Sequence, residues 1–145
     1  MQINTRLFGL KEVDLNKVIT FPNGITGFEH CKAFQLLHEA GKKQILYFLQ
    51  SIDEPGLSFN LIRSESIGIN FDMDLTDAEV EMLGAENAEE IALLLLVSKD
   101  ADRQSGNIIP HIHCPIVINV RTRRGLQKVL STPDYEINIS AILKA

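Results

Sequence analysis

Residues 45–62 read ILYFLQSIDEPGLSFNLI, and their pattern indicates the fold class. Two apolar runs, Ile45 to Gln50 and Leu57 to Ile62, lie on either side of Pro55 and Gly56. Proline fixes one backbone torsion of a turn, and glycine permits conformations that other residues avoid. Asp53 can hydrogen-bond to the turn backbone. The pattern predicts two antiparallel strands joined by a short turn.

The rest of the chain repeats this pattern of short apolar or alternating stretches separated by Gly, Pro and Asp. Further strands are predicted at Ile3 to Phe8, Val18 to Phe21, Ala33 to Leu37, Ile91 to Val97, Pro115 to Val120, Gly125 to Leu130 and Glu136 to Ile139. Short strands in this number predict a mainly β protein, and closure into a barrel would protect their edges. We therefore expect a compact antiparallel β-barrel-like single domain over residues 1–145, with one or two short helices.

Negative charge is concentrated between Arg63 and Lys99. These 35 intervening residues contain no Lys or Arg and nine acids, namely Glu65, Asp72, Asp74, Asp77, Glu79, Glu81, Glu86, Glu89 and Glu90. Of the chain's 19 acids and 14 bases, ten acids and all 14 bases lie elsewhere, so the remainder is net positive. Such segregation attracts cationic partners and repels nucleic acid; the alternative is a solvated face kept acidic for solubility.

One helix is predicted inside this acidic tract. Thr76 and Glu79 have the spacing of a capping box, and Gly84 can end a helix over Asp77 to Leu83. Asn87, three residues before Glu90, predicts one further turn that leads into the strand at Ile91.

Composition limits the functional classes. The net charge of −5 argues against a general nucleic-acid binder. The start, Met1 to Arg6, lacks the features of a secretory signal, and no stretch approaches the roughly 20 apolar residues that span a bilayer. We expect a cytoplasmic protein without a membrane contact, in which Cys31 and Cys114 are free thiols.

Residues 111–114 (HIHC) are the best candidate for catalytic chemistry. His111 and His113 would share one face of an extended segment and could bind zinc, which leaves a metal-dependent enzyme as one alternative. No third spaced ligand is apparent, and Pro110 and Pro115 bracket the segment. The sequence thus predicts no enzyme activity, no cofactor and no metal site.

His30 and Cys31 give no catalytic signal either. Neighbours in a strand point to opposite faces, so a Cys/His nucleophile pair is not predicted.

The basic segment 121–125 (RTRRG) has two interpretations. Arg121 and Arg123 would share a face of a strand and could bind carboxylates or phosphates. Alternatively the segment is an ordinary hairpin tip with a permissive backbone at Gly125. An RNA-binding barrel that uses these arginines and Arg124 is disfavoured, because no aromatic residues interleave to stack bases.

Four stretches in order resemble the flagellar assembly factor FliW family. They are residues 19–29 (ITFPNGITGFE), residues 49–59 (LQSIDEPGLSF), the acidic helix ending in Leu83-Gly84, and residues 115–119 (PIVIN) followed by Gly125-Leu126-Gln127. The resemblance covers nearly the whole chain. It departs from the family pattern at residues 111–114, where members usually carry Asn, Leu, a variable residue and Ala.

The resemblance implies a cytoplasmic, non-enzymatic regulator that is a monomer when free. Such a protein binds newly made flagellin through the helical terminal region of that subunit. When flagellin is exported, it binds the carbon storage regulator CsrA instead and relieves repression of flagellin translation. The acidic tract, docked beside the basic RNA-binding surface of CsrA, would repel RNA phosphates.

Two sets of partner-binding residues are expected. An apolar strip of Ile67, Ile69 and Phe71 could dock the amphipathic flagellin helix, although a buried strand is the alternative. If the strip docks flagellin, Phe71→Ala lowers affinity and leaves the melting temperature nearly unchanged. The charged set comprises Asp72, Asp74, Asp77, Glu81, Arg121 and Arg123.

Overall fold

The two apolar runs around Pro55 and Gly56 form adjacent antiparallel strands. The computed structural model describes residues 2–5, 9–38, 46–71, 74–99, 108–130 and 135–137. Within these ranges lie one α-helix, α1 (Asp77–Leu83), and the strands β1 (Gln2–Thr5), β2 (Gly9–Glu12), β3 (Val18–Thr20), β4 (Ala33–Leu37), β5 (Leu46–Ser51), β6 (Ser58–Arg63), β7 (Ile69–Phe71), β8 (Ile91–Lys99), β9 (Ile108–Pro110), β10 (Ile116–Asn119), β11 (Arg124–Gln127) and β12 (Tyr135–Ile137). Short 3-10 turns cover Leu15–Lys17, Ser64–Ile67 and Ala88–Glu90.

Seven strands close a barrel in the order β3, β4, β5, β6, β8, β10, β11. Neighbouring strands are antiparallel except β11 and β3, which run parallel and pair at Arg124 and Thr20. Strand β8 closes the ring because its nine residues pair with β6 along one edge and with β10 and β9 along the other. The structure confirms the expected mainly β, barrel-like architecture with short helices.

Alternation along each strand fills the barrel. Leu49 of β5 and Leu61 of β6 point inward and are fully buried, whereas the next residue, Ile62, packs on the outer face. The interior cluster consists of Ile19, Phe21, Ile25, Cys31, Phe34, Leu49, Leu61, Leu94, Ile116 and Ile118. Phe21 and Phe34 meet edge to face, with ring centroids 5.3 Å apart. This period-two pattern is the signal by which the sequence predicts strands.

Two smaller apolar clusters lie on the outer face. Helix α1 packs through Leu83 against Val117 of β10 and Leu126 of β11. Strand β7, paired with β12, packs through Ile69 against a second patch that includes Leu95. Among the described residues, no helix is long and apolar enough to cross a membrane.

The predicted strands agree with the structure to within two residues where their residues are described, except that the strand predicted to end at Leu130 ends three residues earlier, at Gln127. Strand β4 has the predicted bounds. Ile45, residues 6–8 and residues 138–139 lie outside the described residues. The sequence interpretation missed β2 and β9. Strand β2 carries Lys11, Glu12 and an exposed Leu10, and β9 has three residues and ends in proline, so neither shows the alternation of a core strand.

Candidate functional site

Helix α1 begins and ends where its sequence predicts. The Thr76 hydroxyl accepts a hydrogen bond from the Glu79 amide at 3.1 Å, and the Thr76 amide donates to Glu79 Oε1 at 2.8 Å. Gly84 ends the helix in the left-handed region, at φ 63°. The reciprocal cap fixes the first turn, and burial of Leu83 fixes which face turns to the barrel. Asp77 and Glu81, one turn apart, therefore lie on the solvent side.

Four exposed carboxylates of the tract make no ion pair among the described residues. They are Asp74, Asp77, Glu81 and Glu89, which we call the acidic ridge. Asp72, which the sequence groups with them, lies outside the described residues. Lys128 Nζ donates to the backbone carbonyl of Asp74 at 3.2 Å, but none of the four carboxylates is in an ion pair with a described cation. The four carboxylates therefore project a negative field into solvent beside α1.

The other described acids of the tract are paired within the molecule. Lys128 Nζ donates to Glu79 Oε1 at 2.6 Å, and Arg63 forms an ion pair with Glu65. Arg121 Nε donates to Glu90 Oε1 at 2.8 Å, and its Nη2 lies 3.7 Å from Glu86 Oε1. Four of the eight described acids of the tract are thus in ion pairs within the molecule, and the four ridge carboxylates are not.

Arg121 and its neighbours bind the last turn of α1. Arg121 Nη2 donates to the Gly84 carbonyl at 2.8 Å, and the Thr122 hydroxyl donates to the Leu83 carbonyl at 2.6 Å. Buried Asn119 donates to the same Leu83 carbonyl and to Glu90 Oε2. These donors satisfy carbonyls that a helix end leaves without partners, and the arginine charge complements the negative end of the helix dipole.

The pKa values of two glutamates are lowered by their hydrogen-bond partners, Glu90 within this network and Glu79 at the other end of α1. The hydrogen bond from Arg121 is the main cause for Glu90, against an opposing effect of burial. Burial alone would raise the pKa of Glu79, but hydrogen bonds from Lys128 and Thr76 outweigh it and lower the pKa. Both groups therefore favour the ionised form in the folded protein.

The network was not predicted, because its members are distant in sequence. The separate signals were present: the Asn87 turn that places Glu90, and the Arg121 segment at a hairpin tip. Arg121 remains about half exposed while bound to Glu90. Its role toward a partner, like that of exposed Arg123, stays a prediction.

The hairpin tip between β10 and β11 differs from the expected one. Arg123, not Gly125, adopts the left-handed conformation there, at φ 57°, and its amide donates to the Asn119 carbonyl. Gly125 lies in β11 under Phe21, where an added Cβ would come within 2.6 Å of the buried ring. The expectation that Gly125 supplies the permissive turn backbone was wrong, since its lack of a side chain serves core packing instead.

An apolar cleft adjoins the acidic ridge. Its volume is about 580 Å³, and it lies between α1, the turn at Ala88–Glu90 and the outer face of β8. The apolar lining comprises Leu75, Val80, Ala85, Ala88, Ile91 and Leu93. Asp74 and Glu86 also line this cleft, so its apolar floor lies next to two carboxylates. A smaller cleft of about 200 Å³ shares Ile91 and Leu93 and includes Phe71.

The predicted apolar strip is partly core. Ile69 is buried in the outer cluster with Ile62, Leu95 and Val97, while Ile67 and Phe71 are half-buried against it. The alternative of a buried strand thus describes Ile69. Binding of a partner by Ile67 and Phe71 stays a prediction.

The two histidines at 111 and 113 make separate hydrogen bonds. His111 Nε2 lies 3.1 Å from Ser98 Oγ, and His113 Nδ1 lies 3.2 Å from the Leu130 carbonyl. They form no metal-type cluster with a third ligand among the described residues.

His30 and Cys31 converge although the sequence argument placed them on opposite faces. Opposite faces would follow from a strand, whereas both residues lie where a turn leads into β4. His30 Nε2 is 3.2 Å and Cys31 Sγ is 3.7 Å from the same oxygen, Glu54 Oε2. Burial is the main cause of a raised pKa of the Cys31 thiol.

Comparisons with known proteins agree with this architecture. The family model described as FliW protein matches residues 2–141. A flagellar assembly factor FliW from Azoarcus sp. (strain BH72) is 41% identical over 134 residues, covering 90% of this chain and 92% of that protein. The FliW of Chromobacterium violaceum is 35% identical over 88% of this chain and 92% of its own. A crystal structure of the flagellar assembly factor FliW superimposes with a TM-score of 0.81 at 29% identity, over 94% of each chain. This chain belongs to the FliW family of flagellar assembly factors.

Proposed function

We propose that this protein binds flagellin and the regulator CsrA in alternation in the cytoplasm, and acts by binding rather than by catalysis. Flagellin occupies the protein before export. Once flagellin has left, the protein sequesters CsrA, and translation of flagellin proceeds. The observation that carries the proposal is the acidic ridge beside an apolar cleft. The ridge matches the cationic surface of CsrA, and the cleft matches the amphipathic helix of flagellin.

The acidic ridge is suited to the cationic partner. Asp74, Asp77 and Glu81 are exposed, and their carboxylates form no ion pair among the described residues. A ridge of this kind would speed the encounter with the basic RNA-binding surface of CsrA. Once docked, it would repel RNA phosphates from that surface.

The apolar cleft is suited to the helical terminal region of flagellin. A helix binds in a groove by placing its apolar face on an apolar floor, here Ile91 and Leu93 with Val80 on the α1 side. The wall residue Asp74 belongs to both the cleft and the ridge. Since the two surfaces share this residue, a partner on one would hinder a partner on the other, which accounts for alternation.

The ridge is tested with two double variants that change the net charge equally. Asp74→Asn/Glu81→Gln removes two ridge charges, and Glu12→Gln/Glu29→Gln removes two exposed charges outside the tract. The ridge variant should weaken CsrA binding about 2- to 30-fold at low salt, and the control should leave it nearly unchanged. Calorimetry at rising salt measures both. Equal losses in the two variants would show that net charge, not the ridge, governs binding.

The cleft is tested with two valines. Val80 lines the cleft and is partly exposed, whereas exposed Val120 lies at the hairpin tip. Val80→Ser should lower flagellin affinity about tenfold, because it removes roughly two apolar carbons from the interface. Val120→Ser should have no effect. If instead Phe71→Ala reduces flagellin binding and Val80→Ser does not, the helix docks on the strip of Ile67 and Phe71.

A further inference from the structure

We propose that His30, Cys31 and Glu54 form a zinc-binding site at the end of the barrel. The imidazole, the thiolate and the carboxylate would supply three ligands, and water would supply the fourth. Zinc would replace the proton of the Cys31 thiol, and that proton would be released to water. The oxidation state of the metal ion would not change.

Of the three pairs of ligand atoms, the two that include Glu54 Oε2 already have separations close to those of a tetrahedral zinc site. All three lie within 4.8 Å of one another, with 3.2 Å between His30 Nε2 and Glu54 Oε2 and 3.7 Å between Cys31 Sγ and that oxygen. Ordinary zinc bond lengths and tetrahedral angles put nitrogen and oxygen ligands about 3.3 Å apart, and sulfur and oxygen ligands about 3.5 Å apart. A metal ion could therefore enter with small side-chain rotations.

The backbone holds the two ligand-bearing segments in register. Asp53, next to Glu54, accepts hydrogen bonds from the amides of Lys32 and Ala33 at 2.7 and 2.9 Å. The Glu54 amide donates to Ser51 Oγ, and the Cys31 amide donates to the Phe28 carbonyl. These bonds fix the segment that carries His30 and Cys31 against the loop after β5, so little ordering is needed on binding.

The burial of Cys31 and the exposure of His30 and Glu54 suit a site that a metal ion can reach from the solvent side. Cys31 is buried in the barrel interior, whereas the His30 and Glu54 side chains are more than half exposed. The soft thiolate would thus form the inner ligand, and the two exposed groups would close over the ion. The bound metal would join the turn before β4 to the turn between β5 and β6.

Titration of the purified full chain with Co²⁺ alone tests the site, because a cobalt–thiolate bond gives a charge-transfer absorption band. We expect one equivalent to bind, the band to disappear when Zn²⁺ is added, and the melting temperature to rise with Zn²⁺. Cys31→Ser should abolish the band. His30→Gln changes an exposed residue, so the fold is kept. It should lower zinc affinity at least about 100-fold, because removing a direct ligand costs more than removing a group that only orients one.

Cys114→Ser is the matched control, because it removes the other thiol of the chain, and it should bind cobalt like the parent. Three results would overturn the proposal. The first is no thiolate band at saturating cobalt, and the second is a band that survives Cys31→Ser. The third is a band lost in Cys114→Ser, which would assign the metal to His111, His113 and Cys114.

Discussion

Gly125 shows how one residue can be required for packing rather than for a turn. Its Cα lies under the fully buried ring of Phe21, and a Cβ would meet three ring carbons at 2.6 to 2.9 Å. The ring cannot move freely because Phe34 packs against it. The glycine in the family-like stretch PIVIN…GLQ is thus explained by contact with the other family-like stretch, ITFPNGITGFE.

We expect Gly125→Ala to destabilise the protein by about 1–3 kcal/mol, the usual cost of forcing a methyl group into a filled core. Gly56→Ala is the control, because nothing lies within 4 Å of its added Cβ and its backbone is not left-handed. Urea unfolding of both variants measures the difference. Equal stability of the two alanine variants would mean that the ring of Phe21 can shift at little cost.

Glu90 links the acid stability of the protein to one network. Its pKa is lowered in the folded state by Arg121, so the folded form binds its proton less readily than the unfolded chain does. The stabilisation is present above the ordinary glutamate pKa of about 4.3 and is lost as the pH falls through the lower folded value. The same sign holds for Glu79.

Glu90→Gln should therefore be less stable than the parent at pH 7 and should lose less stability between pH 5 and pH 3. The neutral amide oxygen accepts more weakly from Arg121. The NH₂ group would then replace Glu90 Oε2 and face two donors, Asn119 Nδ2 and the Glu86 amide. Glu89→Gln, at an exposed ridge position, should follow the parent curve. Chemical unfolding at a series of pH values measures both; a parallel curve for Glu90→Gln would assign the acid sensitivity to other groups.

At the scale of elements, α1 is a short helix held from both ends. The reciprocal hydrogen bonds of Thr76 and Glu79 satisfy its first turn, and residues of the β10–β11 hairpin satisfy its last. A helix of seven residues is too short to be stable alone, so these contacts and the burial of Leu83 decide whether the acidic ridge exists as an ordered surface.

Thr76→Ala should lower the free energy of unfolding by about 1 kcal/mol, since it removes the cap of the first turn. Thr26→Ala, at an exposed turn, is the comparison and should cost less than about 0.5 kcal/mol. Thermal unfolding measures both. If the proposed binding of CsrA requires an ordered helix, Thr76→Ala should also weaken that binding; undiminished binding would contradict the requirement.

At the scale of the whole molecule, the barrel is the stable body and the outer pairs are additions to it. Strands β5 and β6 pair over five residues and bury Leu49 and Leu61 completely. Strand β2 pairs only with β1 among the described residues, and its Leu10 is 66% exposed. Stability is expected to follow this division because opening the barrel exposes the interior cluster.

Hydrogen exchange should therefore be slowest at amides of β5 and β6 and markedly faster in the β1–β2 pair. Exchange followed by NMR under native conditions measures the difference residue by residue. Uniform protection across both regions would indicate a single cooperative unit that includes the outer hairpin. The barrel amides should be unaffected by the ridge variant Asp74→Asn/Glu81→Gln, because its residues lie outside the interior cluster.

The local features follow from the order of residues along the chain: the barrel strands, the helix α1 with its cap, and the concentration of acids around it. Each depends on neighbours along the chain, such as the alternation through Leu49 and Leu61 or the three-residue spacing of Thr76 and Glu79. Which acids are paired depends instead on the folded arrangement, since Glu90 and Glu79 are paired with cations about 30 and 50 residues away, at Arg121 and Lys128. Ring closure likewise created the cleft and brought His30 and Cys31 to Glu54, because contacts between distant segments depend on strand order and not on local pattern.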